Sequence, residues 1–210
     1  AVFYDDDFVP APGALEAIDK LFASRPEVAG ATGLVAADGA SMTAITDKAA
    51  VEVCRQLHLT PPALAERRVI GLYGCNMAIR LSAAKDLWFD EALPLYGWQE
   101  DLDFGARLSK RGTVIRTSAF SGVHRGVKSA RPKERGLGYA QIANPVYLMR
   151  RGDIPASYLL KLMARNIAAN HLGAFSPKTA TDRLGRIKGN WRALADLLLG
   201  RLSPSRATTL

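Results

Sequence analysis

Four apolar residues, Ala1, Val2, Phe3 and Tyr4, run directly into three consecutive carboxylates, Asp5, Asp6 and Asp7. So short an apolar run reads as the end of a buried strand. At strand spacing Asp5 and Asp7 project to one side while Asp6 points away. Mutual repulsion makes such a triplet costly unless something positive occupies the gap. Two hard oxygen donors aimed at one spot suit Mg²⁺ or Mn²⁺, and the carboxyl ends of the strands are where an open α/β sheet binds its ligands. The plainer alternative is an acidic surface turn.

The residues that follow extend the α/β pattern. Pro10 and Pro12 end the strand, and Leu15, Ile18, Leu21 and Phe22 make a helical stripe over 13–24. A strand over 28–36 comes next, and strand, helix, strand in that order opens an α/β unit with a parallel sheet. Residues 37–47 read as a polar loop or short hairpin, and 48–58 as a helix that stops before Thr60-Pro61-Pro62. Another buried strand is expected over 69–80, where Gly71 and Gly74 permit close approach of a ligand to the backbone. A short helix near 82–87, a helix over 100–110 and a strand over 113–120 complete this region. A basic loop, 125–135, precedes helices expected over 137–150, 155–172 and 178–200 and a Ser/Pro tail. The expected organisation is an α/β region, 1–135, followed by a helical region, 136–210.

Charge is distributed unevenly. The net charge is +8, yet residues 1–105 hold 8 Lys/Arg against 16 Asp/Glu while residues 106–210 hold 20 against 4. Such polarity suggests an acidic site beside a basic surface that meets phosphates, nucleic acid or an anionic leaflet. No nucleic-acid-binding motif is recognisable, so a nucleic-acid partner is not expected. Cys54 and Cys75, with no CxxC or Cys/His cluster, indicate neither a disulfide framework nor a zinc site and point to a reducing cytoplasm. No apolar stretch approaches the roughly 18 to 20 residues that span a bilayer, and no signal peptide is visible.

The second acidic constellation is Gln99-Glu100-Asp101-Leu102-Asp103, at the start of an expected helix. Free backbone N–H groups and the helix dipole favour an ionised carboxylate there by roughly 0.3 to 1 kcal/mol. An ionised Asp accepts a proton from an alcohol; an ordinary acidic helix N-terminus is the alternative. His124 follows the last strand, and because imidazole accompanies carboxylates at Mn²⁺ it is a candidate third ligand beside Asp5 and Asp7. His58 and His171 are read as structural. Arg125, Lys128 and Arg131 in the basic loop suit charge-assisted hydrogen bonds to a diphosphate. Trp98 and Tyr96 either stack on a flat apolar sugar face or anchor their loop in the core.

In this order the residues resemble the bacterial family 2 glycosyltransferases, enzymes of the GT-A fold. The resemblance rests on Phe3-Tyr4-Asp5-Asp6-Asp7, on Gly74-Cys75-Asn76-Met77-Ala78-Ile79-Arg80, on Phe89-Asp90-Glu91 followed by Tyr96-Gly97-Trp98-Gln99-Glu100-Asp101, and on His124. It implies the C-terminal portion of a Rossmann-like, mixed-sheet GT-A domain followed by helices. It also implies inverting transfer of a sugar from a nucleotide-diphosphate sugar to a hydroxyl of a glycan or lipid-linked acceptor, in cell-surface polysaccharide synthesis. Asp7 would bind Mn²⁺ or Mg²⁺ directly, Asp5 the metal or the ribose, and His124 the metal, with Asp6 a neighbour in the donor-binding set. Asp101 would be the general base and Glu100 would hold acceptor or orient the loop. Family members carry further strands and the nucleotide-base pocket ahead of the D-x-D, so the resemblance implies a fragment with little activity alone. Its expected location is cytoplasmic, peripheral on the inner face of the plasma membrane.

Two other readings compete. Asp5-Asp6-Asp7-Phe8-Val9 fits D-x-D-x-[TV], the nucleophile motif of haloacid dehalogenase-like phosphatases, with Asp5 attacking phosphorus and Asp7 as acid/base. That fold needs a late acidic pair, and Gly152-Asp153 has no partner at the right spacing. A non-catalytic, basic membrane-surface protein is the third reading: Leu194, Leu197, Leu198 and Leu202 with Arg192, Arg201 and Arg206 suit an interfacial helix, unless that stripe packs onto the domain.

Overall fold

The computed structural model describes residues 1–40, 43–95, 98–127, 134–175 and 182–210. The chain divides into two compact units, Ala1–Trp88 with Phe104–Ser129, and Phe89–Asp103 with Ala130–Leu210. The division expected at 135/136 placed 89–103 with the first region; the contacts group that segment with the helices.

The first unit is α/β with a mixed sheet. Its strands are β1 (Val2–Tyr4), β2 (Phe8–Pro10), β3 (Val28–Asp38), β4 (Glu66–Arg68), β5 (Asn76–Ile79) and β6 (Thr113–His124), in the order β1-β5-β3-β6-β2 with β4 also on β6. Only the long pair β3 and β6 is parallel. Helix α1 (Ala14–Ser24) buries Ala14 and Ile18 against Val28, Ala31, Ile115 and Phe120 of the sheet. Leu15 of the expected stripe stays exposed. Arg80 ties helix to sheet: its guanidinium donates to the carbonyls of Phe22 (2.7 Å) and Arg25 (3.0 Å) at the end of α1 and of Val28 (3.0 Å) at the start of β3. The carbonyls at the end of α1 are among those a helix leaves without intrahelical partners, so a forked donor stabilises that end. Helix α2 (Asp47–Leu59) begins at Thr46, whose hydroxyl accepts from Ala49 N–H, and buries Ala50 and Cys54 against Val123.

Three local expectations are corrected. The aspartate triplet does not continue a strand: Phe8 N–H closes a turn onto Asp5 O at 3.0 Å, and β2 then runs through Pro10, which pairs with Gly122 on an edge strand where a missing N–H is tolerated. Of the strand expected over 69–80 only Asn76–Ile79 forms, as β5, and the segment between β4 and β5 receives a helix. A Cβ on Gly105 would lie 2.6 Å from Leu72 N and 2.8 Å from Gly71 Cα, so backbone packs on backbone there. Residues 81–86 form turns rather than a helix.

Helix α3 (Glu100–Leu108) begins in the second unit and continues into the first. The rest of the second unit is α4 (Glu134–Arg151), α5 (Ala156–Gly173), α6 (Arg183–Leu198) and a final 3₁₀ helix (Pro204–Thr209) where a Ser/Pro tail was expected; Pro204 and Ala207 of this last helix are buried. Helix α4 is buried through its middle, Gly138 to Val146, and crosses α6 through glycines, Gly138 and Gly189. Beside that crossing, Asn170 donates to Gln141 Oε1 (2.7 Å) and Asn190 Oδ1 (2.9 Å), and Asn190 donates to Gly138 O (2.6 Å), so these buried amides are satisfied together. The stripe read as membrane-facing mostly turns inward: Leu194, Leu197 and Leu202 pack on the cluster around Tyr139 and Ile142. Arg192, Arg201 and Arg206 converge on Asp196, whose side chain is inaccessible. Among the described residues no helix is long and apolar enough to cross a membrane.

This arrangement predicts acid sensitivity. Burial raises the Asp196 carboxyl, but the Tyr139 hydroxyl and the facing arginines outweigh it and hold the group below its ordinary value of 3.8. Asp90 is held below the same value, burial being opposed there by Ala92 N–H, the Tyr147 hydroxyl and Arg151. A carboxylate depressed on folding contributes stability that is present above the unfolded pKa and lost as pH falls through the folded one. Urea unfolding followed from pH 5 downward should show stability declining below about 3.8, with a shallower decline in Asp196→Asn.

Candidate metal centre

Parallel pairing of β3 with β6 places Asp38 opposite His124 at the carboxyl ends of both strands. The turn after β1 brings Asp5 and Asp7 to the same place. His124 Nε2 lies 3.2 Å from Asp7 Oδ1 and 3.6 Å from Asp5 Oδ2, and one ligand atom from each of the three residues falls within 4.8 Å of the others. The group can hold a metal ion. His124 and Asp7 are largely enclosed, with side chains 10% and 13% exposed, while Asp5 is 51% exposed, so the group opens to solvent on one side.

What surrounds the three residues orients them. On its other nitrogen, His124 Nδ1 lies 2.9 Å from Asp38 Oδ1, and the Tyr73 hydroxyl donates to Asp38 Oδ2 at 2.9 Å. Burial, then the neighbouring Cys75 and Asp38, push the Tyr73 hydroxyl well above its ordinary value, so it remains a donor. The tautomer that donates Nδ1–H to Asp38 leaves the Nε2 lone pair toward Asp5 and Asp7, the form in which the imidazole can ligate a cation, and a carboxylate behind a ligating imidazole is the usual second support of a metal site. Asp7 is fixed independently, its Oδ2 accepting from Val127 N–H at 2.6 Å and its carbonyl from Arg125 N–H at 3.0 Å.

Other expected site residues fare differently. Asp6 is exposed in the turn and lies outside the group. Arg125 reaches the start of α2, with Nη1 on Asp47 Oδ1 at 2.8 Å and Nε on Ile45 O at 3.3 Å. Lys128, Arg131 and Tyr96 lie outside the described residues.

In the second unit, Glu100 and Asp101 occupy the first turn of α3 and are partly buried, and Asp101 Oδ1 accepts from Leu102 N–H at 2.7 Å. Gln99, just before them, has φ 75°, a conformation that costs a non-glycine residue on the order of 1 kcal/mol or more. Its buried amide finds no hydrogen-bond partner among the described residues. Trp98 packs on the Tyr139 cluster and its carbonyl accepts from Asn144 Nδ2 at 2.8 Å. These contacts are those of the core anchor, one of its two expected roles. Asp103 is fully buried, and Arg151 lies against it at 3.5 Å while also pairing with Asp90 and with Asp153 at 3.4 Å.

Sequence reasoning missed Asp38 and Tyr73. The strand was expected to stop at residue 36; two residues more and Asp38 would have stood at a strand's carboxyl end as Asp5 does, which is the signal that was there to read. Comparison of the chain with protein-family models, with curated proteins and with solved structures finds no match.

Proposed function

We propose that the chain is the metal- and acceptor-binding portion of an inverting GT-A glycosyltransferase. The observation that carries this reading is the convergence of Asp5, Asp7 and His124 with the imidazole held by Asp38. Hard carboxylate oxygens and one imidazole suit Mn²⁺ or Mg²⁺ better than a thiolate-seeking metal. Bound there, the cation supplies charge that offsets the diphosphate leaving group of a nucleotide-sugar donor. Asp101, at a helix N-terminus that favours its ionised form, accepts the proton of the acceptor hydroxyl, and Glu100 and the strained Gln99 orient the acceptor. The phosphatase reading is weaker, because the third member of the group is a histidine where that chemistry needs further carboxylates.

The test uses the full gene product. Mn²⁺-dependent transfer or hydrolysis is screened across nucleotide sugars, then repeated with Asp101→Asn. Loss of a positioned base should lower kcat by about 10²- to 10⁴-fold with Mn²⁺ affinity unchanged. If Asp101→Asn transfers at the wild-type rate the base assignment is wrong. Aryl-phosphate hydrolysis lost in Asp5→Asn would replace the transferase with the phosphatase.

A further inference from the structure

Although the expected leucine stripe of α6 turns inward, the helix carries another on its solvent side. Leu184, Lys188, Trp191, Ala195 and Leu198 recur at helical spacing along one line. Leu184 and Trp191 are 62% exposed and Leu198 is 88% exposed, while Gly185, Gly189, Ala193 and Asp196 form the buried side. The end of α5 joins this surface. The Trp191 ring stands edge-on to His171 of α5, 6.4 Å between centroids, and the next residues along, Leu172 and Phe175, are 74% and 89% exposed.

The charge on this surface has one sign. From Ile154 to Leu210 the only acidic side chains are Asp182 and Asp196. Asp182 caps α6 by accepting Gly185 N–H at 2.8 Å, and Asp196 lies inaccessible beneath its arginines. No ion pair among the described residues engages Lys161 and Arg165 on the exposed side of α5 or Lys188 on α6. A large apolar surface left in water marks a place where something binds. Here it is studded with these cations and a tryptophan. A bilayer with anionic headgroups answers all three: the leucines and phenylalanine enter the acyl boundary, Trp191 sits at headgroup depth, and the cations meet lipid phosphates.

We propose that the outer face of α6, with the end of α5, is a docking surface for an anionic lipid bilayer, lying flat on it with Trp191 and Leu198 inserted. This contact is independent of what the metal group does. The chain is co-sedimented with vesicles of phosphatidylcholine alone and of phosphatidylcholine mixed with phosphatidylglycerol, at low and at high salt. Binding should require phosphatidylglycerol and weaken with salt. Lys188→Glu should lower partitioning by about thirtyfold, as expected for a two-unit change of charge at an anionic surface. Trp191→Glu and Leu198→Glu should lower it comparably. Both side chains point to solvent, so far-ultraviolet circular dichroism and Mn²⁺ affinity should stay at wild-type values and separate lost docking from lost folding. Three results overturn the proposal: no sedimentation with either vesicle, sedimentation that ignores all three substitutions, or a self-associated form that these substitutions dissociate while vesicles capture nothing.

Discussion

Asp7→Ala is expected to weaken Mn²⁺ binding by at least roughly a hundredfold, the upper end of what loss of even a supporting residue does at a metal site. Asp7 is the better placed of the two candidate carboxylate ligands, being nearly enclosed, 3.2 Å from His124 Nε2 and braced by Val127 N–H. Asp5→Ala should cost less, because that side chain is half exposed and water can take its place. The more discriminating variant is Asp38→Asn, which keeps the shape but not the charge behind His124 and should weaken Mn²⁺ by about 10- to 100-fold. Asp38→Glu is expected to recover part of that loss. Titration of the chain with Mn²⁺, followed by electron paramagnetic resonance, measures all four. Wild-type affinity in Asp7→Ala would dismiss the group as a metal site. Wild-type affinity in Asp38→Asn, with Asp7→Ala impaired, would leave the site standing and remove only Asp38 from it.

Gly138→Ala should destabilise the helical unit by about 1 to 3 kcal/mol, the usual cost of forcing a methyl group into a filled space. Helix propensity alone points the other way, since alanine is favoured over glycine inside a helix by about 1 kcal/mol. The crossing with α6 decides the sign. A Cβ at Gly138 would lie 2.6 Å from Arg186 Cα and overlap Arg186 O, and one at Gly189 would lie 2.7 Å from Tyr139 N. These are backbone atoms of packed helices, so neither side can yield by changing a rotamer. The helices must separate, and the Asn190 to Gly138 hydrogen bond stretches with them. Urea denaturation gives the difference directly, and Gly152→Ala is a useful contrast: nothing lies within 4 Å of a Cβ there, but φ is 79°, so its cost is conformational alone. A Gly138→Ala variant as stable as wild type would mean that α4 and α6 do not cross so closely.

The helices were the most legible part of the chain. Those expected over 13–24 and 48–58 occur as Ala14–Ser24 and Asp47–Leu59, because an apolar stripe and an N-cap are properties of neighbouring residues and need no knowledge of the rest. Strand limits were less legible. β3 extends two residues beyond its expected end and β6 four, since each is lengthened by the ladder it makes with the other, and pairing partners eighty residues apart leave no local mark. The same cause hid Asp38, whose place behind His124 exists only in the parallel register of those strands. The aspartate triplet shows both sides. Its residue types announced a cation site, and Asp5 and Asp7 do face one point, but a turn puts them there rather than the alternation of a strand.

Charge was the least transparent property. Composition alone established that the second half is strongly basic, and that chemistry is independent of conformation. Which cations remain for a partner was a tertiary matter: Arg151, Arg186 and the three arginines around Asp196 are committed to carboxylates inside the fold, and Arg125 to Asp47. The sequence by itself determined which residue types are present, where the longer helices lie to within a few residues, and that carboxylates suited to a hard metal stand at a strand's end. The tertiary structure alone decided which of them meet His124, which arginines are consumed internally and which face of α6 is left to solvent, because each of those outcomes depends on contacts between residues far apart in the chain.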